Sequence, residues 1–147
     1  MIYLLRDLSE SLAALLADDP VRPHIPYMER IGLNKEVFVL KNQDGTALAI
    51  TCVSYQQRVP CNEDELFENI DVPDCAVFYT IWSYQPGAGR QLLNDAVQYI
   101  RLNNPHITKF VTLSPQTELA RRFHIKNGAS VLRKNQDTIN YEYIPGD

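Results

Sequence analysis

The apolar and polar positions of the chain alternate between short β-branched runs and two stretches of helical spacing. Met1 to Leu5 predicts an edge strand, and Ser9 or Ser11 can cap a helix carrying Leu12, Leu15 and Leu16 that ends before Pro20. Prolines at 20, 23 and 26 exclude a regular helix, and Tyr27 to Ile31 predicts a single helical turn. Glu36 to Lys41 and Thr46 to Tyr55, joined by Asn42-Gln43-Asp44-Gly45, read as a hairpin. Asn62 and Glu65 have capping-box spacing for a short acidic helix ending near Asn69. An apolar run from Ala76 to Trp82 then meets a turn with Pro86, Gly87 and Gly89, and Leu92, Leu93, Ala96, Val97 and Ile100 form one helical stripe. Asn103-Asn104-Pro105 stops that helix. Ile107 to Leu113 is the next strand and, after a crossover helix, should run parallel to the Ala76 strand. Gln116 to Asn127 predicts a second helix stopped at Gly128, and Val131 to Lys134 with Thr138 to Ile144 predict a closing hairpin.

Composition narrows the class. At 147 residues, 45% hydrophobic and 22% charged, the chain is expected to form one domain, 1–147, with a real core. A net charge of −4 without a clustered Lys/Arg surplus argues against a nucleic-acid partner. No apolar stretch reaches the ~20 residues of a membrane span, and MIYLLRDLSE has neither a basic start nor a cleavage site, so no membrane and a cytoplasmic location are expected. Cys52, Cys61 and Cys75 show no C-x-x-C spacing, which suggests neither a disulfide framework nor a metal site. Cys61 has no basic neighbour to activate its thiol. His24 and Tyr27 are readable as substrate contacts or as exposed loop residues, and Glu63, Asp64, Glu65 and Glu68 as an amine attractant or as a solvated helix face.

The turn after the Ala76 strand is the first candidate site. Without Cβ atoms, Gly87 and Gly89 let a ligand approach their amides, and those N–H groups, the positive end of the helix and Arg90 suit a phosphate or pyrophosphate. An ordinary β–α turn has the same residues. Gly87, Ala88, Gly89 and Leu92-Leu93 stand at the spacing of the GNAT superfamily of N-acetyltransferases, although the Arg/Gln position of that signature holds Tyr84. The resemblance implies that acetyl-CoA or another acyl-CoA binds with its pyrophosphate at Gly87, Ala88, Gly89 and Arg90 and its pantetheine arm along Ile81, Trp82 and Ser83.

A second motif keeps the family register: Thr117, Ala120, Phe123, His124, Lys126, Gly128 and Ala129 stand where GNAT proteins commonly have Asn, Ala, Phe or Leu, Tyr, Lys, Gly and Phe. The resemblance adds Thr117 and Phe123 to the cofactor contacts and puts His124 in place of the Tyr that protonates the departing thiolate, a task open to imidazole. Residues 113–135 resemble the malonyl-CoA decarboxylases more specifically, through Leu113-Ser114-Pro115 and Phe123-His124, Asn127-Gly128-Ala129, Arg133 and Asn135. In that family, itself GNAT-like, the Ser and the His are catalytic. Ser-Pro is also a preferred helix start, and an unbroken helix from Pro115 would put Ser114 roughly 15 Å from His124 along its axis. On that spacing Ser114 is expected to cap and not to bond His124 directly.

The resulting expectation is a GNAT-like α/β fold, a mixed and mostly antiparallel sheet flanked by helices and splayed at one parallel strand pair, with a ligand crevice beyond the carboxyl ends of that pair. Acyl transfer from coenzyme A to a small-molecule or peptide amine ranks first. Ala76 to Tyr84 holds no carboxylate base, with Asp74 only at its mouth, which keeps decarboxylation in contention. A domain that binds acyl-CoA or a protein without turnover is the third reading, and a homodimer is compatible with all three.

Overall fold

The computed structural model describes residues 2–7, 11–68 and 70–145. Its strands are β1 (Ile2–Leu5), β2 (Lys35–Lys41), β3 (Ala47–Gln56), β4 (Cys75–Ser83), β5 (Lys109–Thr112), β6 (Ser114–Pro115), β7 (Ser130–Lys134) and β8 (Thr138–Tyr143). There are two α-helices, α1 (Ala88–Asn103) and α2 (Glu118–Lys126), and 3-10 helices over Ser11–Asp18, Tyr27–Glu29 and Glu63–Phe67 precede them. The strands form one sheet in the order β1-β2-β3-β4-β5-β8-β6, with β7 beside β8. Among the described strands only β4 and β5 pair in parallel, as the crossover through α1 requires. No helix among the described residues is long and apolar enough to cross a membrane. Ser9, one of the two proposed caps, and Asn69, the expected end of the acidic helix, lie outside the described residues.

The first helix differs from its expectation: Ser11–Asp18 is a 3-10 helix. Asn62 caps as its spacing predicts, accepting from Glu65 N at 3.2 Å. Glu65 does not close a capping box on Asn62, because its Oε1 accepts from Cys61 N and Sγ instead. That bond raises the Cys61 thiol pKa and leaves it a poor nucleophile.

Both faces of the sheet are covered. The stripe of α1, Leu92, Leu93, Ala96, Val97 and Ile100, is buried against Phe38, Val53, Ala76 and Phe78. The other face packs Val37, Cys52, Val77 and Tyr79 under Leu16 and Leu66 of the 3-10 helices. A β-bulge in β4 links the faces: Cys52 stands opposite Thr80 and Val53 opposite Phe78, so Tyr79 has no partner in β3. The extra residue reverses the alternation, and beyond it Ile81 joins the α1 side while Trp82 joins the other.

The segment between the first two 3-10 helices is tied down by a buried carboxylate. Asp19 Oδ1 accepts from Val21 N at 2.8 Å, Arg22 N at 3.0 Å and Thr80 Oγ1 at 2.7 Å, and Oδ2 accepts from Arg30 Nη1 at 2.8 Å. Both side chains of this ion pair are fully buried. Asp19→Asn leaves Arg30 charged and uncompensated in the core, so a loss of about 3–5 kcal/mol is expected in urea unfolding. A loss below about 1 kcal/mol, the value of an exposed pair, would show that the pair does not hold the segment.

Candidate functional site

The β4–β5 ladder ends abruptly. Its last bond runs from Leu113 N to Phe78 O at 3.2 Å, after which β4 continues to Ser83 while the chain beyond Leu113 turns to β8 as β6. A cleft of about 580 Å³ opens in the gap, a size suited to a small ligand. Tyr79 to Ser83 of β4 line one wall, Ser114, Pro115 and residues of α2 the other, with Gly89 of α1 at one end and Pro20 and Val21 against the sheet face that α1 leaves uncovered. None of the lining residues is Asp, Glu, Lys or Arg.

Ser114 and His124 meet on this cleft. Ser114 Oγ lies 3.2 Å from His124 Nε2, although a helix running unbroken from Pro115 would hold them apart. Helix α2 starts only at Glu118, where Thr117 is the cap and accepts from Ala120 N at 3.2 Å. Ser114 and Pro115 are extended, paired with Ile139 and Thr138 of β8, and the chain bends at Gln116. The expectation that Ser114 caps fails because a partner 25 residues away in sequence, Ile139, claims its backbone for a strand.

The histidine is part of a longer chain of polar groups. Its Nδ1 lies 2.7 Å from Tyr143 Oη, its ring stacks on Tyr141 at 4.9 Å, and Ser114 Oγ donates to Thr112 Oγ1 at 2.8 Å. Thr112 Oγ1 in turn accepts from Tyr141 N at 3.1 Å. With the serine proton on Thr112, Nε2–H donates to Ser114 and Tyr143 donates to Nδ1; turning the serine proton to Nε2 reverses both bonds and switches the tautomer. Burial lowers the His124 pKa to about 4, so the imidazole is neutral near pH 7.

The glycine turn has the shape the sequence predicts, with one amide fewer. Gly87 is left-handed at φ 83° and precedes α1, where a residue with a Cβ would be strained. Ala88 N–H is used by Gln85 O at 3.2 Å and Gln91 N–H by Gly87 O at 3.3 Å, leaving the Gly89 and Arg90 amides at the open first turn. Gly89 has a second duty, since a Cβ there would stand 3.1 Å from Phe123 Cε1. Ile81, Trp82, Ser83, Gly89, Thr117 and Phe123 line the cleft; Gly87, Ala88 and Arg90 lie outside its lining. Thr117 spends its hydroxyl on the cap.

His24 and Tyr27 do not reach the cleft: His24 Nε2 bonds Glu63 Oε2 at 2.7 Å and Tyr27 is exposed. Glu63 is half of a second ion pair, with Arg22 Nη1 at 2.9 Å. Sequence reasoning missed Arg22, Tyr143, Thr112 and Asp19. Tyr141 and Tyr143, two apart on β8, were the available signal for what touches His124, because such residues share a strand face.

No protein-family model matches the chain, and no curated protein matches it in sequence. Solved structures do. Malonyl-CoA decarboxylase from Cupriavidus metallidurans superposes with TM-score 0.74 at 17% identity, over 99% of this chain and 61% of that one. The enzyme of the same name from Agrobacterium vitis gives 0.70 at 21% identity over 84% and 35%, so the chain spans between about a third and three fifths of the length of these two proteins. A Bacillus subtilis acetyltransferase in complex with CoA gives 0.68 at 11% identity, over 97% of both chains. The sheet splayed at β4 and β5 is therefore the GNAT-like fold, shared with GNAT acetyltransferases and malonyl-CoA decarboxylases alike.

Proposed function

We propose that the chain binds an acyl-coenzyme A and decarboxylates a malonyl-type thioester, releasing carbon dioxide and leaving the shortened acyl thioester. The observation that carries this reading is the Ser114–His124 bond on a cleft wall with no carboxylate. It reverses the order expected from the sequence, which rested on Ser114 being a cap.

The residues present fit coenzyme A. The amides of Gly89 and Arg90 at the first turn of α1 would hold the pyrophosphate, and β4 from Ile81 to Ser83, without a β5 partner, offers a strand edge to the pantetheine arm. Coenzyme A supplies the thioester, which accepts the electron pair of the breaking carbon–carbon bond. Ser114 and neutral His124 can donate hydrogen bonds to the substrate carboxylate without the ion pair that would stabilise it against departure. Donors fixed in a low-dielectric cleft also stabilise charge developing on the thioester oxygen. His124 or Ser114 would deliver the proton that the α-carbon takes up as carbon dioxide leaves, solvent would restore it, and the Tyr143 hydroxyl, by donating to Nδ1, would hold the proton on Nε2 in the meantime.

Acyl transfer to an amine is the second reading, favoured by the superposition on a CoA-bound acetyltransferase over 97% of both chains. An amine arrives protonated and needs a base. The cleft lining holds no carboxylate, and an imidazole whose pKa burial lowers to about 4 is a weak one.

Incubation with malonyl-CoA and no acceptor should yield carbon dioxide and acetyl-CoA in equal amounts; coenzyme A consumption only on adding amines would sink the first reading. His124→Phe should lower the rate about 10²–10³-fold, as loss of a positioned hydrogen-bond donor does. Thr117→Ala, not Ser114→Ala, should show the cap cost of about 0.5–2 kcal/mol in thermal unfolding. The histidine also sets a pH dependence. Its folded pKa lies below the unfolded value near 6.5, so the unfolded chain binds the extra proton between about pH 6.5 and 4. Stability should be full above pH 6.5 and fall on acidification to pH 4, on the order of 3 kcal/mol for a shift of this size. His124→Phe should flatten that part of the profile, and an equal slope in both proteins would refute the assignment.

A further inference from the structure

We propose that Arg22 is a specificity-determining wedge: it closes the splay on the face opposite α1 and α2, so that a second substrate cannot reach the bound thioester. The inference rests on the reading of the cleft as an acyl-coenzyme A site.

In a parallel ladder, Leu113 donates to Phe78 O, and its own carbonyl would next accept from Thr80 N. That carbonyl instead accepts from Arg22 Nη2 at 2.7 Å, and Nε donates to Tyr79 O, the bulge residue, at 2.9 Å. The guanidinium thus stands in the gap where the next rung would fall, bonded to one carbonyl on each side. A planar fork with fixed donors can bridge two diverging strands in a way a single ammonium cannot.

The wedge is held from behind. Nη1 bonds Glu63 at 2.9 Å, the Arg22 amide is fixed by Asp19, and its carbonyl accepts from Arg30 Nη2 at 2.8 Å. Arg22 is only 8% exposed. Pro20 and Val21, the two residues before it, form the floor of the cleft on this face. A transferase must admit an acceptor as well as a donor, and a floor tied across the splay removes one approach. Decarboxylation needs no second substrate besides a proton.

The test uses acetyl-CoA, which cannot decarboxylate, and hydroxylamine as a small nucleophile. In the reaction the amine nitrogen bonds the thioester carbonyl carbon, the carbon–sulfur bond breaks and the thiolate takes the displaced proton, giving acetohydroxamate and free coenzyme A. Calorimetry first establishes acetyl-CoA binding to the wild type; no binding overturns the acyl-coenzyme A reading and the wedge with it. Given binding, wild-type protein should leave hydroxamate formation at the uncatalysed rate. Arg22→Ala should raise it about tenfold or more, a difference of one decade in rate constant, with acetyl-CoA affinity little changed. Millimolar guanidinium should refill the gap and suppress the gain, which a general loosening of the fold would not allow. If Arg22→Ala does not fold, Glu63→Ala removes the support from behind and should raise hydroxamate formation about threefold, by a barrier change near half of a decade. Wild-type acceleration, or equal rates in wild type and the folded variant, would overturn the wedge while leaving carbon dioxide release from malonyl-CoA to judge the parent reading.

Discussion

A buried carboxylate is costly unless donors surround it, and Asp19 has two backbone amides, a threonine hydroxyl and a guanidinium. Its donors come from three places: the segment it starts, strand β4, and the turn at Arg30. Satisfying one group therefore fixes an irregular stretch with three prolines against the centre of the sheet. Arg22 owes its position to that anchorage, and the ladder between β4 and β5 ends where its guanidinium begins. The cleft follows from hydrogen-bond accounting: every carbonyl at the mouth of the splay that loses a strand partner to divergence needs another donor.

The two walls of the cleft differ in kind. The β4 wall is backbone-rich, bulged at Tyr79 and reversed in side-chain phase beyond it. The opposite wall carries the side-chain chemistry, with Ser114 presented by a two-residue strand and His124 by a helix of nine residues. Both are pinned by β8, which pairs with Ser114 and lays Tyr141 and Tyr143 against the imidazole. One strand thus sets the serine, the orientation of the ring and the partner of its second nitrogen.

Much of what local pattern encodes was legible in the sequence. The stripe on α1, the Asn-rich stop after it, the hairpins and the parallel crossover all follow from periodicity and turn chemistry, and they hold in the structure. The register of the second motif led to His124, and the match to the malonyl-CoA decarboxylases to Ser114, by resemblance. Their contact was not legible, because Ser-Pro carries the same local signal whether it caps a helix or extends as a strand, and the deciding partner is Ile139. The bulge at Tyr79 is hidden for the same reason: a strand's own residues do not state its register with another strand. Asp19, Arg22 and Arg30 carry no local signal of their own, since burial of a charge depends on donors brought together by the fold.

Arg22 reaches 91 residues along the chain to Leu113, and Asp19 reaches 61 to Thr80. Contacts of such separation carry a large loop-closure entropy, which is smaller once the sheet holds both anchors. On a ribosome, β1 to β4 can emerge and pair as neighbours in sequence while Leu113 is still unsynthesised. During that interval Leu113, the arginine's partner across the splay, is absent. The bridge from Arg22 to Leu113 needs the last part of the chain, which also carries Ser114 and His124, so the two sides of the cleft depend on one late-made stretch of sequence.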